Sequence, residues 1–90
     1  HIIQRMQKVI IYTGAKCNYC SAAKYLLNKK EVNYTEFDIS IDSSKMKEMQ
    51  ERTKGARTIP QIFIGETYVG GYDELKALEV AGKLNSLLEI

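Results

Sequence analysis

Cys17-Asn18-Tyr19-Cys20 contains the only two cysteines of the 90-residue chain, and Thr58-Ile59-Pro60 contains its only proline. Two thiols three positions apart can form a redox pair, half of a metal site, or filler in a small core. Two cysteines cannot supply the four ligands of a structural zinc site, and the lone His1 sits at a terminus, unsuited to completing one. Core filler explains Cys17 poorly, because it precedes the apolar stripe of the following segment. A C-x-x-C beside a strand–helix–strand pattern points to redox chemistry.

The segment after the pair sorts the two thiols. From Asn18 to about Lys30, Cys20, Ala23 and Leu27 recur with helical spacing, flanked by Ala22 and Leu26, while Ser21, Lys24, Asn28 and Lys29 fall largely opposite. Cys17 therefore stands at a helix N-terminus, where unpaired N–H groups and the dipole favour a thiolate and lower its pKa below the ~8.5 of free cysteine. Lys16 adds a neighbouring positive charge. Cys20, one turn in on the apolar face, points toward the core and stays protonated. Cys17 is the expected nucleophile and Cys20 the resolving thiol. Pro60 reads on its own as an ordinary turn before a strand.

The elements that must position these residues follow from periodicity. Lys8–Thr13 is a near-continuous apolar run, the pattern of a strand covered on both faces, and Gly14 stops it. Val32–Ile39 alternates as a second strand, so strand, helix and strand form a right-handed βαβ unit with a parallel pair. A helix over Ser43–Thr53, capped by Asp42 or Ser43 and ended by Gly55, carries a thin stripe of Met46 and Met49. Gln61–Ile64 and Thr67–Val69 make a hairpin about Gly65-Glu66. Gly70-Gly71 leads to a helix over Tyr72–Ala81 whose buried edge is Leu75, Leu78 and Ala81, with Asp73 and Glu74 in its first turn. A short helix over Leu84–Ile90 ends the chain. The fold class is α/β: a four-stranded mixed sheet in βαβ-α-ββ-α order with helices on both faces.

Composition narrows the function classes. With 44% hydrophobic and 27% charged residues, the chain is of ordinary globular type. Ninety residues make one domain. A net charge of +2 with scattered lysines argues against nucleic-acid binding, and no run approaches a membrane span. The N-terminus lacks a signal-peptide pattern, and with two closely spaced cysteines this leads to the expectation of a reducing, cytoplasmic setting. Residues 1–7 read as an N-terminal extension before a domain over 8–90, with Met6 a candidate start and residues 1–5 then a cloning remnant.

From Lys8 to Leu88 the chain resembles a glutaredoxin of the dithiol type. The resemblance rests on Ile11-Tyr12-Thr13 before Cys17-Asn18-Tyr19-Cys20, on residues 55–64 (Gly-Ala-Arg-Thr-Ile-Pro-Gln-Ile-Phe-Ile), and on residues 69–75 (Val-Gly-Gly-Tyr-Asp-Glu-Leu). It implies a thioredoxin-like fold and reduction of protein disulfides and glutathione mixed disulfides. Glutathione is then co-substrate, and disulfide-bearing or glutathionylated proteins are the partners of a monomer. Carried over by position, Cys17 attacks and Cys20 resolves. Thr58, Ile59 and a cis Pro60 pair with the glutathione backbone, and Gly71, Tyr72, Asp73 and Glu74 hold its γ-glutamyl end. Tyr19 flanks the tripeptide, Lys47 binds its glycyl carboxylate, and Arg57 is structural or solvated.

Three positions depart from the family pattern. Asn18 replaces proline, which adds an N–H near the Cys17 sulfur. Gly14 stands where relatives have lysine, and Lys16 is the nearest substitute. Glu74 replaces the usual aspartate. The competing readings are a dimeric [2Fe–2S] cluster carrier ligated by Cys17 and glutathione, possible within the family though not expected here, and a thioredoxin-like electron donor that ignores glutathione.

Overall fold

The computed structural model describes residues 7–90. Its elements are β1 (Val9–Thr13), α1 (Asn18–Lys29), β2 (Thr35–Asp38), α2 (Ser43–Arg52), β3 (Gln61–Ile64), β4 (Thr67–Gly70), α3 (Tyr72–Val80) and α4 (Leu84–Leu88). The sheet order is β2-β1-β3-β4. β1 runs parallel to β2 and antiparallel to β3, and β3 and β4 form the antiparallel hairpin. The continuous apolar runs of β1 and β3 thus occupy the two central positions, where both faces are covered.

Alternation along those strands separates two cores. Val9, Ile11, Ile62 and Ile64 meet Ala23 and Leu27 of α1, Leu75 of α3, and Leu84 and Leu88 of α4 on one face. Tyr12 and Phe63 meet Met49 of α2 on the other. Helices therefore cover both faces, as the thioredoxin-like pattern requires. No helix among the described residues is long and apolar enough to cross a membrane.

The second strand begins three residues later than its alternation suggests. α1 ends in a Schellman motif: Glu31 adopts a left-handed φ of 58°, its N–H donates to Asn28 O, and the Val32 N–H donates to Leu27 O. Val32 is buried as the apolar residue that closes this motif, not as a strand residue. α3 ends the same way at Gly82, which leaves Ala81 exposed instead of on the buried edge; Leu78 is half-buried. Met46 is also exposed, so Met49 alone anchors α2 in the core. Left-handed Lys54 precedes Gly55 at the end of α2. Of the expected extension over residues 1–7, all but Gln7 lie outside the described residues. The Gln7 N–H donates to Leu88 O at 3.1 Å.

Candidate active site

Cys17 is the N-cap of α1, with extended backbone angles that turn its side chain back over the helix start. Its sulfur accepts the Cys20 N–H at 3.1 Å, satisfying a donor that the first turn leaves without an internal partner. Cys17 and Cys20 are joined as a disulfide with Cα atoms 5.2 Å apart. Burial distinguishes the two sulfurs. Cys20 is 2% exposed on the same helix face as Ala23 and Leu27, whereas Cys17 is half-buried and reachable. Lys16 is exposed in a left-handed turn at φ 53°, immediately before the pair.

Polar contacts tie the scaffold to this helix end. Thr13, the last residue of β1, is buried and donates its hydroxyl to Glu36 Oε2 at 2.7 Å, while Lys24 of α1 reaches the same carboxylate at 3.0 Å. The Thr13 hydrogen bond, with smaller help from Lys24, holds the Glu36 carboxyl below its ordinary range. One carboxylate thereby links β1, β2 and α1 close to the loop that carries Cys17.

Facing the disulfide is the loop before β3. The Ile59–Pro60 peptide is cis, as the resemblance implies, and Ile59 O lies 3.8 Å from Cys17 Sγ. Gly14 makes room for this loop: a Cβ there would lie 2.6 Å from Ile59 Cδ1. Where the resemblance puts a lysine, this chain has a glycine with the Ile59 side chain packed onto it. The start of α3 completes the site. Gly70 turns the chain at φ 114°, and Glu74 Oε1 accepts the Gly71 N–H at 2.8 Å. A Cβ on Gly70 would lie within 3.2 Å of three atoms of that Glu74 side chain, so only glycine fits both the angle and the space.

These pieces enclose a cavity of about 230 Å³. Tyr19, Thr58, Ile59 and Pro60 line one side, and Gly71, Tyr72, Asp73 and Glu74 the other. The Tyr19 and Tyr72 rings stack across it with centroids 6.0 Å apart. Eight residues singled out in the sequence are thus brought together, with the Cys17 sulfur at the Ile59 edge. Lys47 lies on an exposed face of α2 and, like Lys16, is not among the lining residues. Sequence reasoning passed over Gln61, a buried amide that bonds to Thr58. Its signal was a polar residue heading an otherwise apolar strand.

The glutaredoxin family model matches residues 9–69. A glutaredoxin from Pseudomonas aeruginosa is 50% identical over 84 residues, which cover 92% of this chain and 98% of that protein. Among solved structures, the glutaredoxin of Brucella melitensis is similar with a TM-score of 0.80 at 51% identity, covering 93% of this chain and 90% of that one. A buckwheat glutaredoxin–glutathione complex is similar with a TM-score of 0.78 at 27% identity, covering 89% of this chain and 74% of that one.

Proposed function

The chain belongs to the glutaredoxin family of thiol–disulfide oxidoreductases, and from that premise we propose that glutathione is its reductant and mixed-disulfide substrate. The observation that carries this reading is the position of the reachable Cys17 sulfur, at a helix N-terminus and beside the cavity of about 230 Å³ lined by the Pro60 loop and the start of α3. The Cys17 thiolate attacks the glutathione sulfur of a mixed disulfide, and the substrate leaves as a thiolate that takes up a proton. A second glutathione thiolate then attacks the Cys17–glutathione disulfide, giving oxidised glutathione and free Cys17. With a protein disulfide, Cys17 forms the mixed disulfide. Cys20 then loses its proton, attacks the Cys17 sulfur and expels the reduced protein, leaving the internal Cys17–Cys20 disulfide. Two glutathiones return it to the dithiol.

Each lining residue has a part in this scheme. The Ile59 backbone pairs with the cysteinyl unit of glutathione, and Thr58 and Pro60 shape that edge. The first-turn N–H groups of α3, at Tyr72 and Asp73, receive the γ-glutamyl carboxylate, because a helix N-terminus favours an anion. Asp73 and Glu74 attract its ammonium, and Gly71 allows close approach. Tyr19 and Tyr72 flank the peptide, Lys47 reaches for the glycyl carboxylate, and Lys16 supports the thiolate electrostatically. The buckwheat complex supports the choice of ligand by family likeness. We place the enzyme as a monomer in the cytoplasm, acting on glutathionylated and disulfide-bearing proteins.

Two variants test the scheme. Cys17→Ser abolishes all turnover, while Cys20→Ser keeps reduction of a small glutathione mixed disulfide and loses reduction of a protein disulfide through the internal route. Retained activity in Cys17→Ser would sink the assignment of roles. Anaerobic incubation with iron, sulfide and glutathione gives a colourless monomer on this reading. A brown dimer would favour a cluster carrier.

A further inference from the structure

Gln61 follows Pro60 directly and heads β3, a strand whose four residues are all buried. A primary amide offers two donors and an acceptor oxygen, and burial makes unpaired groups costly. Here Nε2 donates to Thr58 O at 2.9 Å and to Thr58 Oγ1 at 3.1 Å, while Oε1 accepts from the Tyr68 hydroxyl. The orientation is forced. Thr58 O can only accept, so the nitrogen must face it and the oxygen must face Tyr68.

Tyr68 comes from β4, where the register pairs it with Phe63 and their rings stack at 5.0 Å. Gln61 and Phe63 are two apart on β3 and share a face, which brings Tyr68 within reach of the amide. Burial, and after it the charge of Glu74, keep the Tyr68 phenol protonated and therefore a donor.

We propose that Gln61, locked by Tyr68, is a positioning residue that aims the Thr58–Ile59 peptide plane at the substrate. Thr58 C=O and Ile59 N–H belong to one planar unit and point in opposite directions across a trans bond. Holding the carbonyl on Gln61 therefore directs the Ile59 N–H away from β3, leaving it to an extended peptide. The same amide occupies a lone pair of Thr58 Oγ1 and leaves that hydroxyl's proton to donate into the cavity Thr58 lines. The hairpin β3–β4 thus fixes a docking edge on the far side of Pro60. This inference rests on the glutathione reading given above.

The test compares wild type, Gln61→Met and Tyr68→Phe on two substrates. One is a glutathionylated peptide, which needs the docking edge; the other is 5,5′-dithiobis(2-nitrobenzoic acid), read as a single turnover of pre-reduced enzyme without glutathione, so that no peptide docks. Gln61→Met should raise KM for the glutathionylated peptide about tenfold and leave kcat and aryl-disulfide reduction within about twofold, the pattern of lost uniform binding. Tyr68→Phe should raise KM about threefold, because the amide keeps its place but loses its lock. A merely structural Gln61 would lower both activities together without moving KM, and that result overturns the proposal. Tyr68 is 45% exposed, so Tyr68→Phe keeps the test open if Gln61→Met does not fold, and an unchanged KM there is equally fatal. A backbone order parameter by NMR separates this proposal from the one it rests on. If wild type reduces the aryl disulfide but ignores the glutathionylated peptide, the glutathione reading fails. Lower order at Ile59 in Gln61→Met would then still support positioning, and unchanged order would overturn it.

Discussion

At the residue scale, Asn18 stands where the resemblance puts proline, next to the sulfur proposed to attack. Proline in that place would remove one backbone N–H, and the expectation from sequence is that asparagine adds a donor near Cys17. The structure assigns the donor on Cys17 Sγ to Cys20 instead, at 3.1 Å. Asn18 is the first helical residue of α1, a position whose N–H has no carbonyl within the helix and where proline's fixed φ fits. Asn18→Pro should therefore stabilise the protein by about 0.5–1 kcal/mol, mainly by restricting the unfolded chain. It should leave the pH midpoint of Cys17 alkylation in the reduced protein within about half a pH unit of wild type. Urea unfolding and the pH profile of iodoacetamide modification check the two halves separately. A large move in the alkylation midpoint would mean that the Asn18 N–H reaches the thiolate after all.

At the scale of elements, legibility followed the strength of the apolar pattern. β1, β3 and α1 were readable because each presents an unbroken run or a full helical stripe, and the site residues on their ends were placed with them. Val32 looks like a strand residue in sequence because a Schellman closure and a strand both bury a β-branched residue after a polar pair. Gln61 was not read because its partners, Thr58 and Tyr68, meet only when the hairpin forms. The weakest pattern was that of α2, and its attachment shows why. Besides Met49, it is held by polar contacts no periodicity reveals: Tyr12, fully buried in β1, donates to Glu48, and Arg52 Nη1 donates to Tyr12 at 3.1 Å. The Tyr12 hydrogen bond is the chief cause of the lowered Glu48 carboxyl, while burial first and Glu48 second raise the Tyr12 phenol. The signs give two limbs. Glu48 adds stability that is present above its unfolded pKa of about 4.5 and lost as pH falls through the lower folded value. Tyr12 adds stability present below its unfolded value of about 10 and lost as pH rises through the higher folded one. Tyr12→Phe should cost about 1 kcal/mol at neutral pH, less than the ~1.5–3 kcal/mol usual for a bond to a charged group because Glu48 is partly solvated. The gap to wild type should narrow as urea midpoints are taken toward pH 3. A gap that stays constant down to pH 3 would show that Glu48 is not the partner that matters.

At the scale of the whole molecule, the stretch that defines the family and the stretch that makes the fold stable are not the same. The family model spans residues 9–69 and takes in the cysteines, the Pro60 loop and nearly all of the sheet. Yet the larger core continues through Leu75 of α3 and Leu84 and Leu88 of α4, all three completely buried against β1, β3 and α1. α4 is five residues long, too short to hold its shape alone, so the core gives it structure as much as it completes the core. The Gln7 N–H closes the arrangement by pairing with Leu88 O, which ties the entry of β1 to the last helix. Small domains have little apolar surface to spare. Removing two fully buried leucines costs about 2–5 kcal/mol each, set against about 5–15 kcal/mol for the stability of a typical domain. Truncation after Gly82 should therefore abolish the cooperative thermal transition seen by circular dichroism and collapse the amide dispersion in NMR spectra. The loss should reach the active site, because Ala23 and Leu27, which seat the helix behind Cys17, pack in that same core. A truncated chain that melts cooperatively within a few degrees of the full one would show that α4 is an accessory. In that case residues up to Gly82 would suffice to hold Cys17 against Ile59.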